Sequence, residues 1–142
     1  MESNIINIIK TFSAVLGGVI GAIFGELDGA MIALLAFITI DYITGLMVGI
    51  TSKTLNSAVG FKGLAKKVFI LLLVLIANVL DTHVMGGSGV VRGLVIAFYI
   101  ANEGLSILEN AGKLGVPYPE KLRNVLEQLK EKNEGGQDAD KL

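Results

Sequence analysis

A chain of 142 residues is long enough for one domain, and this one is 52% hydrophobic, 18% charged and has a mean hydropathy of +0.66. That leaves too little polar surface to cover several long apolar stretches in water, which excludes an ordinary soluble fold. The 12 basic and 13 acidic residues give a net charge of −1 with no dense basic tract, so a nucleic-acid partner is not expected. With no cysteine and one histidine, disulfides and thiol chemistry are excluded, and neither a metal site nor a cofactor is expected.

The first apolar segment, FSAVLGGVIGAIFG, runs from Phe12 to Gly25. It is short for a full crossing unless the preceding IINIIKT joins it, which sets Lys10 near the interface. No small-residue cleavage site follows and more apolar segments do, so a retained helix is expected rather than a secretory signal. Gly17, Gly21 and Gly25 recur at every fourth position, a spacing that lets helix backbones approach closely.

After ELD comes GAMIALLAFITIDYITGLMVGI, Gly29 to Ile50. Its length of roughly 33 Å as a helix suffices for a bilayer core, and the tight connection implies a helical hairpin. Gly45 and Gly49 repeat the small-residue spacing here, while Asp41 lies deep in the segment. The polar stretch TSKTLNSAVGFKGLAKK, residues 51–67, carries Lys53, Lys62, Lys66 and Lys67 and no acid. It reads as a basic interfacial loop meeting anionic lipid headgroups, with Phe61 and Leu64 dipping in. Gly60 and Gly63 do not make a phosphate loop, since GxxxxGK[ST] and a preceding strand are both missing.

The third segment, VFILLLVLIANVLDTHVM (Val68–Met85), has a polar stripe of Asn78, Asp81 and Thr82 at one end. GGSG forms a turn, and the fourth segment spans Val90 to Gly112. Within it Tyr99, Glu103, Ser106 and Asn110 fall on one helical stripe, which Asn102 widens.

The continuous apolar runs lack the alternation of barrel strands. The predicted fold is therefore all-α: a small polytopic membrane protein with four transmembrane helices, or three if the first segment lies on the interface. The basic 51–67 loop points to the cytoplasm, and four crossings then place both termini there as well. Carboxylates at the depth of Asp41 and Glu103 must face water, another chain or a bundle interior. The polar positions Asp41, Asn78, Tyr99, Asn102, Glu103, Ser106 and Asn110 thus either line a hydrated path or an assembly surface, or hydrogen-bond within one bundle.

The transmembrane domain ends at about residue 114, and 115–142 form a cytoplasmic part. Pro119 is placed to open an amphipathic helix whose apolar face is Leu122, Val125, Leu126 and Leu129. That face can lie on the membrane, on the 51–67 loop or on a neighbouring molecule. NEGGQDADKL reads as a disordered hydrophilic tail.

DYITGL at Asp41–Leu46, SAVGFKGLAKK at Ser57–Lys67 and FYIANEGLSILENAGKLGVPYPEKL at Phe98–Leu122 together resemble the phage holins and toxin-secretion holins of Gram-positive bacteria and their phages. The last stretch, NE-xx-SILEN followed by G-x-P-x-P, is the most specific. The resemblance extends over most of the chain, from about residue 30 to 125. It maps the family's recurrent positions onto Asp41, Gly45, Lys66, Lys67, Asn102, Glu103, Ser106, Glu109, Asn110, Pro117 and Pro119.

It implies a homo-oligomer in the cytoplasmic membrane of a bacterial host. Such an oligomer forms lesions that let an endolysin or a toxin leave and the host lyse, with an antiholin as a further partner. The competing reading is a non-permeabilising scaffold or antiholin-like regulator that recruits a partner through its C-terminal helix. An enzyme is not expected: His83 stands alone, without a nucleophile arrangement around it.

Overall fold

Apolar periodicity, caps and glycine turns divide the chain into five helices in a computed structural model that describes residues 2–134. They are α1 (Glu2–Phe24), α2 (Gly29–Thr51), α3 (Ser57–His83), α4 (Val90–Lys113) and α5 (Glu120–Glu134). The described residues form no strand, and four of the helices are long and apolar enough to cross a membrane. The fold is all-α, as composition and periodicity predict.

Polar residues set the helix starts. Asp28 accepts the Met31 amide at 2.8 Å and begins α2; Asn56 accepts the Val59 amide at 2.9 Å and begins α3. Each carboxylate or amide oxygen satisfies an N–H that the first turn leaves unpaired. The Asn56 cap changes one sequence expectation. Only 52–56 form the connection after α2, and Lys62, Lys66 and Lys67 ride on the first turns of α3 rather than in a loop.

A second boundary also moves. IINIIKT does join the first apolar segment, and the resulting 23-residue α1 is roughly 35 Å long. Its last helical residue is Phe24, and Gly25 turns the chain with φ +79°, a left-handed conformation that glycine accepts without Cβ strain. The third glycine of the predicted helix-packing stripe is therefore a turn residue.

α4 is the centre of the molecule, packed by α2, α3 and α5. The apolar core joins Met31, Leu34 and Ile38 of α2, Ile70 and Val74 of α3, and Ile96 of α4. α1 behaves differently. It packs on α3, and its residues from Ser3 to Ile23 are exposed; only Phe24 reaches the core. A helix presenting Ile5, Ile9, Phe12, Val15, Leu16 and Val19 along one face to its surroundings offers an apolar surface suited to lipid.

α5 ends at Glu134, so Asn133 and Glu134 of the predicted tail are helical, and 135–142 lie outside the described residues.

Candidate functional site

Near the middle of α2 and α4, three charged side chains from three helices converge. Lys67 of α3 donates to both Asp41 of α2 and Glu103 of α4. The side chains of Lys67, Asp41 and Glu103 are only 14%, 9% and 8% exposed, so the group is withdrawn from its surroundings. Asn110 of α4 completes it, its amide nitrogen donating to Asp41 at 3.3 Å and to the Thr44 hydroxyl at 3.0 Å. An isolated carboxylate at this depth is costly; one ammonium shared by two carboxylates satisfies both and ties α2, α3 and α4 together.

Local backbone geometry makes room for this contact. Tyr42 lies against the start of α3, its hydroxyl donating to the Gly60 carbonyl at 3.4 Å. A Cβ on Gly63 would sit 3.5 Å from the Tyr42 ring. These are the glycines of GFKGLAKK, and the tyrosine rests against both at ordinary contact distance. Beside the triad lies a cleft of about 380 Å³, lined by Asp41, Tyr42, Gly45, Lys66, Lys67, Glu103, Ser106 and Asn110 among others.

A second polar cluster closes the opposite end of the bundle. The Asp81 carboxylate accepts the Arg92 amide at 2.6 Å and the Val91 amide at 3.2 Å, capping α4 from the end of α3. The Arg92 guanidinium donates to the Phe24 carbonyl at 2.9 Å, the Glu26 carbonyl at 2.7 Å and the Asp28 carboxylate at 2.8 Å. Asn78 donates to the Ile23 carbonyl at 2.9 Å. Carbonyls that α1 leaves unpaired at its C-terminus are thus taken up by α3 and α4. Arg92 first, and then the Met31 amide, hold the Asp28 carboxyl below the usual carboxylate range.

The predicted polar positions consequently separate. Asp41, Glu103 and Asn110 meet in the triad, with Ser106 on the adjoining cleft. Tyr99 packs against the apolar core and edge-on to Phe98, and Asn102 is half-buried on α4. Asn78 belongs to the other end. Of the lysines, Lys53, Lys62 and Lys66 are exposed, whereas Lys67 is the triad's cation.

The glycines divide too. A Cβ on Gly45 would face Asn110 at 3.8 Å, and one on Gly49 would meet Leu55 of the following connection at 3.1 Å. Gly17 and Gly21 have no neighbour within 4 Å. On α5, Leu126 is buried and Leu129 half-buried, while Leu122 and Val125 remain 47% and 54% exposed.

Two functional contacts escape a reading by segments. Lys67 adjoins the apolar run at Val68, which makes it the cation of the 51–67 stretch set deepest toward the buried acids. Arg92, alone beyond the GGSG turn and far from the other cations, carried a similar signal.

The sequence pattern of the bacteriophage holin family matches residues 18–131, a span holding the triad, the Asp81–Arg92 cluster and most of α5. The chain belongs to the bacteriophage holin family. A probable holin of Bacillus phage phi105 is 37% identical over 112 residues, covering 79% of this chain and 82% of that protein. An uncharacterized protein of Clostridium perfringens is 48% identical over 129 residues, 91% of this chain and 98% of the relative. One of Listeria innocua is 46% identical over 110 residues, 78% of each. No solved structure matches the chain. This holin-family protein is thus a membrane protein by family and by its four apolar helices.

Proposed function

We propose that this holin-family chain oligomerises in the cytoplasmic membrane of a bacterial host and opens lesions through which an endolysin, or a toxin, leaves and the host lyses. The observation that carries this reading is the match of residues 18–131 to the bacteriophage holin family, on a chain whose four long helices are apolar enough to cross a membrane. The Asp41–Lys67–Glu103 triad satisfies its own charges inside one bundle, and the cleft of about 380 Å³ beside it presents a polar surface to water or a second copy. The apolar length of α1, free of the other helices over most of its course, supplies surface for packing between copies or against lipid. With exposed Lys53, Lys62 and Lys66 at the cytoplasmic face, the basic end meets anionic headgroups and both chain termini lie inside.

The scaffold reading asks α5 to offer a free apolar face to a partner. Leu126 and Leu129 turn onto the bundle and leave only Leu122 and Val125 of that face exposed, which favours the lesion over the scaffold. The test is inducible expression in bacteria, following membrane potential and release of a co-expressed cytoplasmic lysin. Abrupt depolarisation followed by lysin-dependent lysis is expected. Accumulation in the membrane with the potential intact and no lysis would overturn the reading in favour of a regulator.

A further inference from the structure

α1 sorts its residues by type around its axis. At about 100° per residue, every serine, asparagine, lysine, threonine, glycine and alanine from Ser3 to Ile23 except Ser13 falls within an arc of about 140°. Ser3, Asn7, Lys10, Thr11, Ala14 and Gly18 mark that arc, and Ile5, Ile9, Phe12, Leu16, Val19 and Ile23 mark the large apolar face opposite. A helix surrounded by lipid alone has no use for such a division, because apolar residues on every side suit lipid equally well.

The bundle does not cover the polar arc. Residues 3–23 are exposed throughout, and a Cβ on Gly17, Gly18 or Gly21 would meet no atom within 4 Å. The hydrogen bonds that hold α1 come at its end, where Asn78 and Arg92 donate to the Ile23 and Phe24 carbonyls. The other spans differ. Lys67 pairs with Asp41 and Glu103, and Asp81 caps α4, so their deep charges are satisfied inside the chain.

Depth sharpens the contrast. Thr11 is about 14 Å and Gly18 about 24 Å from the Glu2 end of α1, so in a hydrocarbon layer of roughly 30 Å Thr11 and Ala14 lie near the middle. Amide and hydroxyl groups at that depth require a hydrogen-bonding partner, which lipid does not supply. Water or a second copy would supply one. A seam between two helices is a narrow stripe, whereas this arc is about 140° wide. A symmetric seam would also bring two Lys10 ammonium groups together, and like charges repel. Water meets neither obstacle.

We infer that α1 lines the open lesion: its Asn7–Thr11–Gly18 face turns to the water-filled lumen and its Phe12–Leu16–Val19 face to lipid. This rests on the lesion reading and adds to it the helix that borders the opening.

The native absence of cysteine allows a direct test on the full chain. Single variants are made in pairs of similar depth: Thr11→Cys with Phe12→Cys, Ala14→Cys with Leu16→Cys, and Gly18→Cys with Val19→Cys. Each is diluted tenfold with native copies, which carry the leakage even where a substitution alone would stop it. The mixtures are reconstituted in vesicles of phosphatidylglycerol and phosphatidylethanolamine. Labelling by a membrane-impermeant cationic methanethiosulfonate is followed before and after encapsulated dye begins to leak. Once leakage sets in, the cysteines at 11, 14 and 18 should react at least tenfold faster than their partners at 12, 16 and 19, and before it all six should stay protected.

Leaking vesicles in which the two faces react alike, or in which the polar face stays protected as in a seam between copies, overturn the inference and leave the lesion reading standing. So does a polar face that reacts equally fast before leakage, which would place α1 on the membrane surface. Vesicles of native protein that never leak overturn both. The three pairs are read independently, so loss of the glycine variant leaves the comparison intact at the other two depths.

Discussion

Replacing Lys67 with methionine keeps the length of the side chain and removes its charge, leaving Asp41 and Glu103 facing one another without a cation. Both carboxylates are less than a tenth exposed and come from different helices, so neither relaxes into water without separating α2 from α4. Stranding a buried partner in this way costs about 3–5 kcal/mol, even where the intact pair contributes little net stability. Removing one acid acts differently. With Glu103→Gln, Lys67 keeps Asp41 as its partner, so the loss should stay near that of one hydrogen bond, about 1 kcal/mol. The triple change Asp41→Asn, Lys67→Met and Glu103→Gln should recover most of what Lys67→Met alone loses. Unfolding in detergent micelles, followed by far-ultraviolet circular dichroism against increasing dodecyl sulfate, reads all three. A Lys67→Met loss below about 1 kcal/mol, or a triple variant no better than the single one, would refute the account of the triad as an ammonium shared by two buried acids.

Further outcomes are expected elsewhere in the molecule. Gly104→Leu fills the seat of Leu126 and should unseat α5 at a cost of about 1.5–3 kcal/mol, read as tryptic cleavage after Lys121 or Arg123 at least tenfold faster in micelles. Unchanged cleavage would mean that α5 does not depend on that contact. Gly25→Ala places a Cβ 2.7 Å from Asn78 Oδ1 at a φ of +79°, so it should lose at least about 1 kcal/mol of stability in the same dodecyl sulfate titration, and a neutral result would contradict the turn geometry. Asp28 titrates below its ordinary 3.8 because Arg92 and the Met31 amide hold its anion, so its contribution is complete above that value and fades as pH falls through the depressed one. The difference in melting temperature between the native chain and Asp28→Asn should therefore be constant above about pH 5 and shrink on acidification; a difference that grows below pH 4 would reverse the sign of the argument.

The four spans were legible because long apolar runs between short polar turns leave a helix no alternative within a membrane. The Asp28 and Pro119 boundaries were legible for a similar local reason, each being decided by groups within one turn. What sequence did not disclose was which polar groups meet. Glu103 and Asn110 lie on one stripe of α4, but their common partner, Asp41, and the ammonium from α3 are set by how three helices rotate against one another. Lys67 was assigned to a surface loop because the polar composition of 51–67 outweighed its helical continuity, which the Asn56 cap restores. α5 was harder still. Its amphipathic face was plain, yet the seat at Gly104 depends on a missing side chain on another helix, and a glycine inside an apolar run gives no sign of what approaches it.

The Arg92 clamp also constrains the order in which the protein can be completed during synthesis. The groups it joins, Asp28 and Arg92, are 64 residues apart, and the end of α1 has no other cation to close it. At 5–20 residues per second, α1 and α2 wait roughly 3–13 s before Arg92 emerges from the ribosome. Throughout that interval the turn between α1 and α2 lacks the Arg92 guanidinium that spans it. Asn78 of α3 reaches the Ile23 carbonyl first and the first turn of α4 then adds the Arg92 contacts, so a chain interrupted before Arg92 should hold α1 by its α3 contacts alone.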